Sequence, residues 1–136
     1  MRHAFVDSGV FGGLLVAEDE FHARAKELLA RARTGKWHLV TTNAVVFEAY
    51  TLIRTRARSG RERALSFLDT LDAGACDVER VTPEDEFRAA TLLRRHADKD
   101  YSFCDALSFT VMERIDVSEA ISFDRHFREY GRFTVL

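Results

Sequence analysis

Four acidic residues stand in otherwise apolar stretches of the chain, and their chemistry needs an explanation. Asp7 follows the run HAFV, Glu48 lies within NAVVFEAYTLI, Asp105 lies within YSFCDALSFTVME, and Asp124 comes two residues after EAIS. Several carboxylates share a poorly solvated site only when protons or a cation offset their repulsion. Hard oxygen ligands, with no histidine or cysteine expected beside them, suit Mg²⁺ or Mn²⁺ better than zinc. The four acids are therefore candidate metal ligands.

A divalent ion held by carboxylates favours one kind of reaction. Its coordination is typically completed by water and by phosphate oxygens of a substrate, and it activates water for attack on a phosphoryl group. The predicted chemistry is hydrolysis of a phosphodiester bond. In this scheme Asp7, Glu48 and Asp105 hold one ion, while Asp124 helps a second ion or orients the attacking water.

Each acid also has a simpler structural interpretation when it is taken alone. Asp7 and Asp124 stand where a helix N-cap would follow a strand. Asp105 lies three residues after Ser102, which is the spacing of a capping box. Glu48 fits a surface position at the edge of an apolar helix face. Only the convergence of all four on one site favours metal binding over these separate roles.

The elements that must position the acids follow from the hydrophobic pattern. Short apolar or β-branched runs predict strands, and longer stretches with apolar residues at helical spacing predict helices. Asn43 is a plausible N-cap for the helix that carries Glu48, and Thr82 followed by Pro83 is a strong helix start. The predicted strands are 3–6, 37–42, 76–81, 119–122 and 133–136, and the predicted helices end near residues 33, 56, 73, 97, 116 and 130.

Short strands that alternate with helices of ten or more residues predict the α/β class. We expect a mainly parallel central sheet of about five short strands flanked by helices, in a single domain of residues 1–136. In such sheets, ligands bind beyond the carboxyl ends of the strands. Asp7 and Asp124 follow two of these ends, so the sheet would bring them to one crevice.

Composition limits the partners and the compartment. The net charge of −2 provides no overall positive field for nucleic acid, so a polyanion must meet a local patch. The segment 54–63, RTRARSGRER, is such a patch, with five arginines against one glutamate. Cys76 and Cys104 are isolated, which favours a reducing compartment. Asp7 interrupts the N-terminal apolar run and no stretch has the length of a membrane span, so we expect a cytoplasmic protein.

Four segments of the chain resemble, in order, the four motifs of the PIN-domain nucleases. They are FVDSGVF, AVVFEAYTL, YSFCDALSFTVME and AISFDRHF, and together they extend over essentially the whole chain. The resemblance is closer still to the VapC toxins of bacterial and archaeal toxin–antitoxin pairs. It places Asp7, Glu48, Asp105 and Asp124 at the family's metal-binding acids, and Ser8 at the small hydroxyl residue that commonly follows the first acid.

The resemblance has further implications for fold, activity and partners. It implies a Rossmann-like sheet with the first strand at its centre and an endoribonuclease that depends on Mg²⁺ or Mn²⁺. It also implies a homodimer, and inhibition by a cognate VapB-like antitoxin whose C-terminal segment occupies the active-site groove. Ser8, Arg54, Arg56 and Arg125 are candidate substrate-binding residues.

Other residues near the motifs receive structural interpretations. His126 is interpreted as structural or exposed rather than as a general acid, because activated water needs no histidine. Cys104 and the phenylalanines are assigned to the hydrophobic core. The phenylalanines are not expected to form a platform for base stacking.

Two alternatives stay open. One is a non-catalytic module that binds a metal or RNA and uses the acids as caps or as ligands of a structural ion. The other is a phosphatase with Asp7 as the nucleophile. The second alternative lacks a D-x-D pair, because residue 9 is glycine, and the chain has only three lysines.

Overall fold

The computed structural model describes residues 1–136, and a sheet of five parallel strands lies at its centre. The strands are β1 (His3–Val6), β2 (His38–Thr42), β3 (Asp77–Glu79), β4 (Glu119–Ile121) and β5 (Thr134–Val135), in the order β3-β2-β1-β4-β5. Phe5 of β1 pairs with Val40 on one side and Ala120 on the other. The predicted α/β class is confirmed, and β1 is the central strand, as the resemblance implied.

Seven helices flank this sheet. They are α1 (Ser8–Leu15), α2 (His22–Thr34), α3 (Asn43–Arg56), α4 (Gly60–Asp72), α5 (Pro83–Arg95), α6 (Phe103–Arg114) and α7 (Arg125–Tyr130). The sequence pattern predicted only a turn or helix start after β1, whereas α1 is a full helix of eight residues. Gly12 and Gly13 lower the helix propensity of this segment, so its sequence does not predict a helix of this length. A Cβ atom at Gly12 would overlap the Leu52 side chain, so this glycine allows α1 to pack closely against α3.

The predicted capping hydrogen bonds are present at α5, α6 and α7. They are absent at α1, where the Asp7 side chain makes no capping bond, and at α3. Thr82 and Asp85 form a complete capping box at α5, with both hydrogen bonds at 2.9–3.0 Å. The prediction of Asn43 as an N-cap is wrong. Thr42 caps α3 by accepting a hydrogen bond from the Val45 amide at 3.1 Å, while the Asn43 side chain accepts from the Val81 amide at 2.9 Å. Asn43 thus ties the start of α3 to the loop before α5.

Helix α6 is the most deeply buried helix of the fold. Every residue from Asp105 to Met112 is buried, and α6 contacts α3, α5, α7 and β2. Phe109 and Met112 are fully buried in the main core, together with Phe127 of α7. The helix that carries Asp105 is therefore surrounded by protein. None of the helices combines the length and the apolar character needed to cross a bilayer.

Candidate active site

Two of the four acids lie side by side at the carboxyl ends of β1 and β4. Asp7 follows β1 and is the N-cap residue of α1, although its side chain makes no capping hydrogen bond. Asp124 lies three residues after the end of β4 and caps α7 by accepting a hydrogen bond from the His126 amide. Ser122 connects them, because its hydroxyl donates to Asp7 Oδ2 at 3.0 Å and accepts from the Asp124 amide at 3.1 Å. The parallel pairing of β1 with β4 therefore brings together residues that are 117 positions apart.

Helix α6 contributes the third acid. Asp105 lies in its first turn and forms a capping box with Ser102, in which both hydrogen bonds are 3.0 Å long. His126 connects this acid to Asp124. Its Nδ1 atom lies 2.8 Å from Asp105 Oδ2 and 3.2 Å from Asp124 Oδ1. Both neighbouring atoms are carboxylate oxygens, which accept hydrogen bonds, so we assign the proton to Nδ1.

Helix α3 contributes the fourth acid, and Ser8 is its contact. The Ser8 hydroxyl donates to Glu48 Oε1 at 2.7 Å, and Ser8 directly follows Asp7. Glu48 itself is exposed, whereas Asp7 and Asp105 are only 5% and 7% exposed. A continuous set of hydrogen bonds and chain neighbours therefore joins all four acids. The structure brings together the residues that the sequence predicted to converge.

Burial and repulsion between the acids raise the pKa values of two of them. Burial raises the pKa of Asp7 to about 7, with a further contribution from the charges of Asp105 and Asp124, against the hydrogen bonds from Ser8 and Ser122. Burial and the charge of Asp124 also raise the pKa of Asp105, against the hydrogen bonds from Ser102 and His126. No lysine or arginine is paired with any of the four acids. His126, which contacts Asp105 and Asp124, is the only basic side chain in contact with the four acids.

A divalent cation fits this set of donors. Candidate ligand atoms of Asp105, Asp124 and His126 lie within 4.8 Å of one another, and Asp7 is joined to Asp124 through Ser122. The expectation that no histidine or cysteine stands beside the acids is wrong. His126 contacts two of them, and the pKa of the Cys104 thiol is raised by burial and by the nearby charges of Glu48, Asp7 and Asp105. The donor set is therefore mainly oxygen, with one imidazole at its edge.

A cleft opens over the acids, and the substrate-binding candidates differ in their relation to it. Arg56 and Ser8 line the cleft. Arg54 is exposed on α3 but does not line it, and Arg125 is paired with Glu129 at 3.2 Å on the surface of α7. The residues lining the cleft are Asp7, Ser8, Gly9, Asp19, Glu20, Phe21, Glu48, Leu52, Arg56, Phe123 and Asp124.

Sequence reasoning missed several members of the site. The segment from Asp19 to Phe21, in the connection between α1 and α2, belongs to none of the four motifs, so no pattern signalled it. His126 was assigned a structural role, although its position two residues after Asp124 could have indicated a contact with that acid. Ser122 was part of a predicted strand, and only the pairing of β1 with β4 reveals its two hydrogen bonds.

The chain is similar to a family model and to known proteins. The model of the PIN domain family matches residues 4–133. The 23S rRNA-specific endonuclease VapC20 of Mycobacterium tuberculosis is 34% identical over 127 residues, which cover 93% of each chain. The VapC ribonuclease of Archaeoglobus fulgidus is 27% identical over 126 residues, which cover 91% of this chain and 78% of the relative.

Solved structures give the same result. The crystal structure of Mycobacterium tuberculosis VapC20, a toxin that cleaves the sarcin–ricin loop, superposes with a TM-score of 0.83 at 32% identity and covers 95% of both chains. The VapBC2 structure from Rickettsia felis, bound to a promoter DNA fragment, has a TM-score of 0.68 at 12% identity and covers 99% and 98% of the two chains. The second likeness shows the fold alone.

The chain therefore belongs to the PIN domain family, and within it to the VapC type. This confirms the family that the four motifs predicted. The predicted enzyme class, a nuclease, is also the class named for both relatives.

Proposed function

We propose that this protein is a divalent-metal-dependent endoribonuclease of the VapC type and the toxin of a toxin–antitoxin pair. The observation that carries the proposal is the convergence of Asp7, Glu48, Asp105 and Asp124 at the carboxyl edge of β1 and β4, with no lysine or arginine to balance them. RNA as the substrate class is supported by the two VapC relatives, one named a ribonuclease and the other an endonuclease specific for 23S rRNA.

In the proposed site, Asp7, Glu48 and Asp105 hold Mg²⁺ or Mn²⁺, and Asp124 helps a second ion or orients the attacking water. A bound ion of this kind supplies Lewis-acid polarisation of the phosphoryl group and lowers the pKa of water. The chain's own residues fix the ligands in place. Ser122 orients Asp7, Ser8 orients Glu48, and the Nδ1 proton of His126 orients Asp105.

The substrate contacts in this proposal follow from the lining of the cleft. Arg56 is free of any ion pair and faces the cleft from α3, so it is the best placed residue to bind a backbone phosphate beside the acids. Ser8 lies deeper, next to Asp7. Arg54 and Arg125 lie outside the cleft, and we propose them only for phosphates further along the RNA.

The proposal includes a cognate VapB-like antitoxin, a homodimer, a cytoplasmic location and one domain that extends over residues 1–136. The relative from Rickettsia felis is described as VapBC2, which supports a protein partner. Phe47, Phe87 and Phe103 are 63%, 68% and 47% exposed, and exposed aromatic residues of this kind are enriched where protein surfaces meet.

The test is RNA cleavage by the purified protein with Mg²⁺, with Mn²⁺ and with EDTA. We expect cleavage with either ion, none with EDTA, and none for Asp7→Asn. Asparagine keeps an oxygen that accepts the Ser122 hydrogen bond, so the fold is preserved while the charge is lost. Circular dichroism of the variant serves as the folding control.

Two outcomes would contradict the proposal. Cleavage that persists both in EDTA and in Asp7→Asn would exclude the metal mechanism. Absence of cleavage in the wild-type protein, on total RNA and on ribosomal RNA alike, would favour the non-catalytic alternative, in which Asp105 and Asp124 serve only as the helix caps that they also form.

A further inference from the structure

Phe21 is an exposed aromatic residue at the edge of the acidic cleft. It is 38% exposed, whereas the core residues Phe5, Phe109 and Phe127 are fully buried. Its ring lines the cleft together with Asp7, Glu48 and Arg56. The assignment of the phenylalanines to the core is therefore wrong for Phe21, as it is for the exposed Phe47, Phe87 and Phe103. Packing in the core does not explain why the Phe21 ring stands among acids.

The ring of Phe21 is held in a defined position. It stacks on the ring of Phe123, with centroids 4.6 Å apart and an angle of 13° between the planes. The Phe21 amide donates to Asp19 Oδ1 at 2.8 Å, and its carbonyl accepts from the Ala25 amide at 2.8 Å. Phe123 immediately precedes Asp124, so the stacked pair is attached to the acid cluster itself. Phe123 covers one face of Phe21, and 38% of the Phe21 surface remains exposed.

The charges around Phe21 indicate which part of an RNA chain would meet it. Asp19 and Glu20 line the same side of the cleft and repel phosphates there, whereas Arg56 lies on α3 and attracts them. A flat apolar ring that directly follows two acids in the chain suits the face of a nucleobase better than a phosphate. Stacking of unpaired bases on aromatic side chains is the usual way in which proteins bind single-stranded RNA.

From these contacts we propose that Phe21, supported by Phe123, is a stacking platform for an unpaired RNA base next to the scissile phosphate. The inference rests on the proposed ribonuclease function and extends it to the form of the substrate. A base inside a duplex is already stacked on its neighbours, so the platform selects loops and single strands. Arg56 then holds the adjacent phosphate, and Asp7, Glu48 and Asp124 line the same cleft.

The experiment measures RNA binding and cleavage by four variants. Phe21→Ala and Phe21→Leu remove the aromatic ring, and Phe21→Tyr keeps it. Phe87→Ala is the matched control, because it removes a more exposed ring on α5 that does not line the cleft. The probe is a short single-stranded RNA that contains a bond cleaved by the wild-type protein. Binding is measured by fluorescence anisotropy with every variant also carrying Asp7→Asn, so that the RNA stays intact.

We expect Phe21→Ala and Phe21→Leu to raise the dissociation constant about 5- to 150-fold, which is the range for loss of one base–aromatic stack. Phe21→Tyr and Phe87→Ala should stay within about 2-fold of their parent protein, since both keep the stack. A probe with an abasic nucleotide at the stacked position should bind all variants equally. In cleavage assays the loss should fall mainly on KM rather than on kcat.

The inference is overturned if Phe21→Leu binds and cleaves as well as Phe21→Tyr, or if the loss in Phe21→Ala is the same for intact and abasic probes at every position. A Phe21→Ala variant that cleaves RNA normally but escapes the antitoxin would assign the ring to the protein partner, which also overturns it. These results are distinct from failure of the proposed function, in which the wild-type protein itself does not cleave RNA.

Discussion

Two aspartates occupy the same position in two helices but experience opposite electrostatic surroundings. Asp85 and Asp105 are the third residues of α5 and α6, and each is the acid of a capping box. Each accepts a hydrogen bond from the backbone amide of its N-cap residue. Both are buried, with 1% and 7% exposure. By local sequence and local geometry they are equivalent.

Their tertiary contacts separate them. Arg114 donates two hydrogen bonds to Asp85, both at 2.9 Å, and a third of 2.9 Å to Glu79. Burial alone would raise the pKa of Asp85, but the hydrogen bonds from Arg114 and Thr82 outweigh it and lower the pKa. Asp105 has only His126 as a possible cation, and burial together with the charge of Asp124 raises its pKa.

The presence or absence of a cationic partner distinguishes a structural acid from a functional one in this fold. Where Asp85 links α5 to α6, the chain supplies its own cation. At the carboxyl edge of β1 and β4, no lysine or arginine pairs with the acids, although the chain has 20 lysines and arginines. Buried acids whose pKa is raised by like charges are typical of functional sites, and here the missing cation is the one that we propose a metal supplies.

The largest expected effect is on activity. Asp105→Asn should reduce RNA cleavage about 100-fold or more, as is typical when a charged group in an active site is neutralised. Asparagine still accepts the Ser102 hydrogen bond, so the capping box and the fold survive. The measurement is the initial rate of cleavage in Mg²⁺.

Asp85→Asn is the matched control, because it makes the same chemical change at the same helix position. It should keep at least about half of the wild-type rate per folded molecule, since a structural ion pair does not touch the substrate. Equal losses in the two variants would show that the contrast between the two aspartates has no functional meaning.

The second effect is on stability, and the order of the two variants is reversed. Without metal at pH 7.5, Asp85→Asn should lower the free energy of unfolding by about 2–3 kcal/mol, because it removes one partner of a partly buried ion pair. Asp105→Asn should leave it unchanged or raise it, because the cost of a buried, repelled charge disappears. Urea denaturation in EDTA measures both values. Destabilisation by Asp105→Asn as large as that by Asp85→Asn would contradict this account.

The third effect is on pH dependence. The pKa of Asp7 rises from 3.8 to about 7 on folding, so between these values the folded protein binds more protons than the unfolded chain. In the metal-free protein, the contribution of Asp7 to stability should therefore fall as pH rises from 4 to 7. The lowered pKa of Asp85 has the opposite sign, and its contribution is lost only as pH falls below about 4.

Mg²⁺ binds the deprotonated acids, so its stabilising effect should increase with pH. At a Mg²⁺ concentration about ten times the dissociation constant, binding adds about 1.4 kcal/mol. We expect the increase in Tm with Mg²⁺ to be larger at pH 8 than at pH 6, and to be absent in Asp7→Asn. Thermal unfolding at the two pH values measures it, and a Mg²⁺ effect that is the same at both would argue against Asp7 as a ligand.

Much of the fold could be predicted because the relevant signals are local. Five apolar runs define the strands, and the Thr82–Pro83 start of α5 is a complete capping signal. Helix α1 was not predicted in full, because Gly12 and Gly13 have low helix propensity and are favoured only by close packing against neighbours such as Leu52. Asn43 was misassigned because Thr42 and Asn43 are both good caps, and the loop at Val81 decides between them.

The four acids of the candidate site could be predicted from the sequence, but the residues that contact and orient them could not. Asp7, Glu48, Asp105 and Asp124 stand out because a carboxylate in an apolar segment is unexpected. His126, Ser122 and Phe21 have no such signal, since each is an ordinary residue for its local segment. Their importance depends on which strand or loop lies beside them.

By itself, then, the amino-acid order determined the alternation of strands and helices, the α/β class and the four acids, because propensity, capping and hydrophobic period act over a few residues. Tertiary structure alone decided that β1 lies beside β4, that Arg114 reaches Asp85 and not Asp105, and that Phe21 stacks on Phe123 at the cleft. The reason is that burial and Coulomb interactions depend on distance in space, which separation along the chain does not specify.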